Sequence, residues 1–110
     1  MLTDSPIHAT LPAADLDRAR TFYEGKLGLK PSLEAPGGIF YDCGGTRFLV
    51  FPTRGAASGQ HTQMGWTVDD IAAEVAELKN RGVVFEEYDL PGLKTVHSVA
   101  DTPPVRAAWF

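Results

Sequence analysis

The sequence has one cysteine, no long apolar run and no signal-like segment, and each scarcity excludes a class of protein. Because Cys43 has no second cysteine to pair with, an intramolecular disulfide cannot form, which fits a reducing compartment. No apolar run exceeds four residues, the length of Phe48–Phe51, whereas a membrane-spanning helix needs about 20. Residues 1–13 lack the apolar segment of a signal peptide. We therefore expect a cytoplasmic protein with no membrane partner.

Nucleic acid is an equally poor match for the charge of the chain. The net charge is −4 at pH 7, with 10 Lys and Arg against 14 Asp and Glu. Neutralising a phosphate backbone requires a concentrated basic surface, and these cations form no cluster. The sequence also has no CxxC motif, Gly-rich phosphate loop or Ser-His-Asp pattern. The length of 110 residues fits a single domain over 1–110.

A strand and then a helix are predicted at the start of the chain. Residues Ile7–Leu11 alternate apolar and polar side chains, which indicates a short strand, and Pro12 ends it. Asp15 occupies an N-cap position, and apolar residues then recur at helical spacing. Gly28 tolerates the left-handed geometry of a helix end, so the pattern predicts a helix over about 15–27.

Turn residues divide the next stretch into three strands. Pro36-Gly37-Gly38 separates the first from the second, and Gly44-Gly45 separates the second from the third. Because the second glycine pair joins two adjacent runs, we predict that these two runs form a hairpin. The three predicted strands are Leu29–Glu34, Ile39–Cys43 and Thr46–Phe51.

The second half of the chain repeats this order. Asp69 or Asp70 caps a predicted helix over about 70–81, and Gly82 ends it. The helix follows one predicted strand and precedes two more, with a proline-containing loop before the last. These predicted strands are Gln63–Val68, Val83–Tyr88 and Val105–Phe110, and the loop contains Pro91, Gly92, Pro103 and Pro104.

The two halves therefore look like copies of one unit. Asp15 matches Asp70 at an offset of 55, and Gly28 matches Gly82 at an offset of 54. An internal duplication explains both offsets, with modules over about 1–55 and about 60–110. Strand-helix-strands, repeated once, predicts an α+β fold rather than alternating β and α elements.

Three segments resemble a known family. Ala13–Ala19, continued by Phe22-Tyr23 and Leu27-Gly28-Leu29, is similar to the opening of the glyoxalase / bleomycin-resistance / extradiol-dioxygenase superfamily, also called vicinal oxygen chelate. Thr67–Ile71 is similar to the same motif in a second module. Arg106–Phe110 resembles the strand before the family's Asp-Pro-Asp-Gly turn.

The resemblance implies two tandem β-α-β-β(-β) modules that form an incompletely closed, U-shaped barrel around a ligand. The family's last strand would fall beyond Phe110, so the second module would have one strand fewer than the first. Because a missing strand exposes a sheet edge, we expect a homodimer. Family members include metal-dependent isomerases, epimerases and dioxygenases, and also proteins that sequester antibiotics without metal, so the fold alone leaves function open.

The resemblance also implies positions for metal ligands. The first falls on His8 and the third on Gln63, and these donors suit Zn, Ni, Mn or Fe. The second falls within Thr46–Phe51, which offers no carboxylate, imidazole or thiolate, and the fourth would lie beyond Phe110. Because catalytic zinc sites hold their ion with three protein ligands, we expect no tightly bound metal.

Small-molecule cavities combine apolar walls with a few polar groups, which makes the polar and aromatic strand residues candidates. We predict that His8, Tyr41, Gln63 and Trp109 bind a ligand, with core packing as the alternative for the aromatic residues.

Four further residues have bland alternatives. Arg47 is either a clamp for a carboxylate or a solvated edge residue, and His97 is either an acid or base above the pocket or a surface loop residue. We expect His61 in a surface loop and Cys43 as a small buried hydrophobic residue.

The sequence thus predicts a protein that holds a small organic molecule in a barrel pocket without a tightly bound metal. The alternative is a metal-dependent lyase, isomerase or dioxygenase with His8 and Gln63 among its ligands. A third class is a structural or interaction domain whose pocket is vestigial.

Overall fold

The computed structural model describes residues 1–54 and 62–110. The chain divides into two compact units, Met1–Gly65 and Trp66–Phe110, and each contains a four-stranded open sheet and a helix. This architecture confirms the predicted α+β class. The surface position predicted for His61 lies outside the described residues. Within the described ranges, no helix has the length and apolarity to cross a membrane.

The first unit has the predicted order of one strand, one helix and three strands. The elements are a 3-10 turn Leu2–Asp4, β1 Ala9–Ala13, α1 Leu16–Arg20 continued by a π-helical segment Thr21–Lys26, β2 Pro31–Ala35, β3 Gly38–Cys43 and β4 Thr46–Pro52. The sheet order is β1-β4-β3-β2, in which β1 runs parallel to β4 and the other neighbours are antiparallel. The pairing of β3 with β4 confirms the hairpin predicted at the glycine pair.

Both predicted helix signals hold in the first unit. The Asp15 carboxylate accepts a hydrogen bond from the Arg18 backbone N–H at 3.0 Å, as an N-cap does. Gly28 follows the helix with a φ of 73°, the left-handed geometry that glycine adopts without strain. The first strand is displaced by two residues from its prediction, because Pro12 lies inside β1 rather than after it. A proline is tolerated there because β1 is an edge strand.

The core of the first unit lies between its sheet and α1. Three aromatic rings meet at its centre, with centroids 5.7 Å apart for Tyr23 and Tyr41, 5.5 Å for Tyr23 and Phe48, and 5.4 Å for Tyr41 and Phe48. Leu16 and Ala19 of α1 pack against the same cluster. Its buried members are Leu11, Ala13, Ile39, Tyr41, Phe48 and Val50.

The second unit begins with a helix and continues as a meander. The elements are α2 Ile71–Asn80, β5 Asp89–Leu90, β6 Leu93–Val96, β7 Val99–Thr102 and β8 Val105–Ala107. The Asp70 carboxylate accepts a hydrogen bond from the Ala73 backbone N–H at 3.1 Å, which confirms the predicted cap. Strands β5 to β8 pair in sequence order, each antiparallel to the next.

The strand predictions for the second unit are largely wrong. Gln63–Val68 and Val83–Tyr88 form no strand, and Val105–Phe110 is a strand only over its first three residues. The predicted proline-containing loop instead holds β5, β6 and β7, so the described part of this unit has four strands rather than three. Val83–Tyr88 does alternate, since Val83 and Phe85 are buried and Val84 is 84% exposed. Among the described residues, one backbone hydrogen bond joins it to the C-terminal segment, from the Glu86 N–H to the Trp109 carbonyl at 2.8 Å, which is too little for a ladder.

A two-residue turn that the sequence did not signal joins β6 to β7. His97 and Ser98 occupy it with φ values of 52° and 69°, although neither is glycine. The Glu87 carboxylate braces the turn, because it accepts hydrogen bonds from the Ser98 N–H at 3.0 Å, the Ser98 hydroxyl, and the Thr95 hydroxyl at 2.9 Å. These hydrogen bonds hold the pKa of Glu87 below its usual value, and the bond from the Ser98 hydroxyl contributes the largest part of that shift.

Candidate functional site

The first sheet has one face against α1 and one turned away from it, which we name the distal face. Side chains alternate along a strand, so the neighbours of the buried core residues point to this second face. The apolar members, Phe40, Leu49 and Phe51, are half-buried. The distal face is defined by Thr10, Phe40, Asp42, Arg47, Leu49 and Phe51.

The strand register brings an aromatic ring, an imidazole and a guanidinium together on the distal face. Phe40 of β3 is opposite Leu49, and Asp42 is opposite Arg47, in the antiparallel β3–β4 pair. The His8 ring meets the Phe40 ring edge-on at 5.7 Å between centroids. The Arg47 guanidinium carbon lies 5.3 Å from the centroid of the same ring, within the range of a cation–π contact. Phe40 is therefore contacted by two side chains that can bind polar groups.

An ion pair orients the guanidinium. Arg47 donates from Nε to Asp42 Oδ1 at 2.7 Å and from Nη2 to Asp42 Oδ2 at 3.4 Å. These bonds lower the pKa of Asp42 and raise that of Arg47, so both groups are charged at neutral pH. Both side chains are about half exposed, at 48% for Arg47 and 52% for Asp42. The guanidinium has five N–H donors, and two are used in this pair.

The donors on the distal face do not fit a tightly held divalent ion. On this face β4 presents Arg47, Leu49 and Phe51, none of which coordinates a cation. The one carboxylate from β1, β3 and β4, Asp42, is paired with Arg47, whose charge repels a cation. Across residues 1–54 and 62–110, no three His, Cys, Asp or Glu side chains converge in a metal-holding group. His8 would thus lack partners of suitable charge.

The three predicted ligand residues of the first unit do not form one site. His8 is exposed and precedes β1 on the distal side, and Gln63 is exposed outside any strand. No hydrogen bond joins them within the described residues. Tyr41 is fully buried in the core on the opposite face, where its hydroxyl donates to Glu24 Oε2 at 2.8 Å, so its ring offers no surface to a ligand. Trp109 belongs to the second unit, half-buried and edge-on to Tyr88 at 5.7 Å.

Tyr41 is therefore a core residue, which was the alternative to ligand binding. Arg47 agrees in part with its alternative, a solvated edge residue. Arg47 is exposed as that alternative requires, yet its position over Phe40 keeps it available to a ligand. His97 is exposed in the two-residue turn between β6 and β7, which agrees with the surface alternative. Cys43 is half-buried at the end of β3, less enclosed than predicted.

Sequence reasoning missed Phe40 and Asp42, although a signal for them exists. A two-residue turn at Gly44-Gly45 requires the residues on either side to pair directly, so counting outward sets Asp42 opposite Arg47 and Phe40 opposite Leu49. Opposite charges placed directly across a sheet attract each other, which supports this register.

Known proteins agree with this fold. The sequence matches the family model described as "Glyoxalase/Bleomycin resistance protein/Dioxygenase superfamily" over residues 5–88. Lactoylglutathione lyase from Agrobacterium tumefaciens is 30% identical, with 78% of this chain and 76% of that chain covered and a TM-score of 0.52. A glyoxalase/bleomycin resistance protein/dioxygenase from Alicyclobacillus acidocaldarius is 25% identical, with 76% and 68% covered and a TM-score of 0.54.

No curated protein gives a significant match. The family match nevertheless spans well over half of the sequence, and it confirms the resemblance carried by the helix-opening motifs. The chain therefore belongs to the Glyoxalase/Bleomycin resistance protein/Dioxygenase superfamily.

Proposed function

We propose that this protein binds a small organic molecule on the distal face of its first sheet, without a tightly held metal. The observation that carries the proposal is the guanidinium of Arg47 at 5.3 Å from the Phe40 ring centroid, beside an apolar surface. Leu49 and Phe51 extend that surface. A few fixed polar groups beside apolar walls are typical of small-molecule sites.

The arrangement favours a ligand with an apolar body and an oxygen acceptor. The body would lie on the Phe40 ring and Leu49, and a carbonyl or carboxylate oxygen would accept from the N–H groups of Arg47 that Asp42 does not use. His8, at the other side of the ring, supplies a further polar contact. Because Asp42 offsets part of the cation's charge, neutral carbonyl compounds suit the site as well as carboxylates.

A metal-dependent lyase, isomerase or dioxygenase is the second candidate. It is favoured by the 30% identity to a lactoylglutathione lyase and by the histidine at the family's first ligand position. Its ligands would be His8 and Gln63, with Zn, Ni, Mn or Fe as the ion. The charge and apolarity of β4 argue against it, which ranks it second.

Ligand-observed NMR with a fragment library of aromatic carboxylates and their amides tests the leading proposal. Fragments that bind should lose affinity about tenfold in Arg47→Gln, which removes a charged donor, and in Phe40→Ala, which removes the ring. Arg81→Gln is the matched control, since Arg81 forms a similarly exposed pair with Glu77 on α2. No binding by any fragment, or equal binding in all three variants, would refute the proposal.

Elemental analysis after dialysis without chelator separates the two candidates. We expect substoichiometric metal and no activity on lactoylglutathione. Near-stoichiometric metal that disappears in His8→Ala, together with lyase activity that disappears with it, would establish the second candidate instead.

We also propose that the protein is a cytoplasmic homodimer. Its sheets have edge strands, β1 and β2 in the first and β5 and β8 in the second, and edge strands favour pairing with another copy. The single cysteine fits a reducing compartment. Light scattering at micromolar concentration should give the mass of two chains, and the mass of one chain would refute the dimer.

A further inference from the structure

The second unit contains a cleft of about 590 Å³ between α2 and one face of its sheet. Residues at i, i+3, i+4 and i+7 form the helical wall, namely Ala72, Val75, Ala76 and Lys79. Alternate residues of β6, β7 and β8 form the opposite wall with the turn residue His97, namely Lys94, Val96, Val99, Asp101 and Arg106. The lining thus comes from one helix stripe and one sheet face.

The cleft is open because its walls cannot pack against each other. Ala72 and Ala76 are too small to span the gap, and both remain exposed on α2. Lys94, Asp101 and Arg106 face the helix from the sheet, and charged groups are almost never buried without partners. The buried Val75 and Val99 therefore form an apolar base beneath the charged groups, and Val96, which is 63% exposed, extends it to the surface. The volume falls in the range of about 300–1,000 Å³ that is usual for small-molecule sites.

The rim is positive in a chain that is negative overall. Lys79, Lys94 and Arg106 against Asp101 give three positive charges and one negative, a formal +2, whereas the whole chain carries −4. Arg106 Nε lies 4.0 Å from Asp101 Oδ2, a loose pair with both side chains more than half exposed. Lys79 interacts also with Glu87.

Lys94 is the cation least engaged by the protein itself. Asp89 is its cross-strand partner in the β5–β6 register, yet no ion pair to Lys94 exists among the described residues. Asp101 on β7 lies between the strands of the two cations, but it holds Arg106 only loosely, at 4.0 Å, so an incoming anion can compete with it for Arg106 and meet Lys94 as well.

We propose that this cleft is a second binding site, for an organic anion with an apolar body, such as a medium-chain carboxylate. The apolar part lies along Val75, Val96 and Val99, and the carboxylate is held by Lys94 and Arg106. All lining residues of the cleft belong to the second unit, and the proposal does not depend on the function proposed for the distal face.

Calorimetric titration with octanoate, octanamide and acetate tests the site. Octanoate should bind saturably at millimolar concentration. Octanamide has the same apolar body without the charge, and acetate has the charge without the body. Each should therefore bind at least about tenfold more weakly than octanoate. Lys94→Gln and Arg106→Gln should each weaken octanoate about tenfold and leave octanamide unchanged. Lys30→Gln, an exposed lysine of the first unit, is the control.

A cleft-filling variant tests the location. Ala76→Leu places a larger side chain in the cleft, and the fold should persist because Ala76 is exposed and leucine is a good helix former. This variant should abolish octanoate binding, whereas Ala73→Leu, at an exposed position of α2 outside the cleft lining, should leave it unchanged. Failure of octanoate to bind, equal binding in Ala76→Leu, or an equal loss in Ala73→Leu would each overturn the assignment.

Discussion

Replacing Gly38 by alanine should destabilise the first unit far more than the same replacement one residue earlier. Gly38 begins β3 with a φ of 139°, a conformation that residues with a Cβ rarely adopt. A Cβ at this position would overlap the carbonyl oxygen of Val50 and lie 3.0 Å from the Cα of Phe51. Both contacts are with the backbone of β4, which cannot rotate away as a flexible side chain could.

The expected cost follows from these two effects. Backbone strain of this kind costs roughly 1–3 kcal/mol, and overfilling a packed position costs roughly 1–3 kcal/mol more. The variant should therefore lose about 2–6 kcal/mol, a large share of the roughly 5–15 kcal/mol that stabilises an ordinary domain. The β3–β4 pairing between Ile39 and Val50, which lies beside the overlap, should open first.

Two other glycines separate strain from overlap. A Cβ on Gly37 would have no neighbour within 4 Å and no unusual φ, so Gly37→Ala should be neutral or stabilise by about 0.4–1 kcal/mol by restricting the unfolded chain. Gly44 has a φ of 57° and equally open surroundings, so Gly44→Ala should show strain alone, about 1–2 kcal/mol.

Urea denaturation followed by far-ultraviolet circular dichroism measures these differences, and amide exchange across β3 and β4 assigns them to the first unit. A loss below about 1 kcal/mol for Gly38→Ala, or a loss as large for Gly37→Ala, would refute the reasoning from close backbone approach.

Four further variants test other contacts. Tyr41→Phe removes the bond to Glu24 and should cost about 1–2 kcal/mol. Burial and, after it, the hydrogen bond to Glu24 raise the folded pKa of Tyr41. The contribution of Tyr41 to stability is therefore present below the unfolded pKa of about 10 and is lost as pH rises. Urea midpoints at alkaline pH should fall more in the parent protein than in Tyr41→Phe. Asp15→Ala and Asp70→Ala should each cost about 1 kcal/mol in thermal denaturation, and no loss at either would contradict the capping role. Glu87→Gln should remove an acid-sensitive contact at the β6–β7 turn. Because the folded pKa of Glu87 is lowered, its contribution to stability is present above the unfolded pKa of about 4.3 and is lost as pH falls. Amide exchange at Ser98 that stays unchanged when the parent protein is brought to acid pH would contradict this.

The elements of the first unit were predictable because their signals are local. Asp15 and Gly28 bound the first helix by cap chemistry, and Gly44-Gly45 fixes a hairpin whatever lies elsewhere. The start of β1 was not predictable in the same way. Pro12 ends most strands, and only its place on a sheet edge, a tertiary fact, makes it acceptable inside this one.

The second unit was harder because its decisive contacts are distant or unusual. His97 and Ser98 form a tight turn without glycine or asparagine, and the carboxylate that braces it, on Glu87, lies outside the hairpin. Val83–Tyr88 has the alternation of a strand but lacks a ladder partner in the part of the chain that the structure describes, and no pattern within a segment shows whether a partner exists.

The candidate sites divide in the same way. His8 was singled out by its place in the first predicted strand, and the structure sets its ring beside Phe40. The register of the glycine hairpin would have added Asp42 opposite Arg47. The sequence did not predict the cationic cleft. Lys94 and Arg106 line the same cleft only because β6, β7 and β8 form a meander, whereas the prolines in this stretch had indicated a loop.

The parallel pairing of β1 with β4 has a consequence for the order of folding. It joins Ala9 to Phe48, 39 positions apart, whereas β2, β3 and β4 connect through short turns. Contacts between distant positions close late, since the entropy of the intervening chain must be lost first. The three-stranded meander should therefore assemble before β1 docks. Until that moment one edge of β4 is open, and a neighbouring chain during synthesis can compete for it with the protein's own first strand.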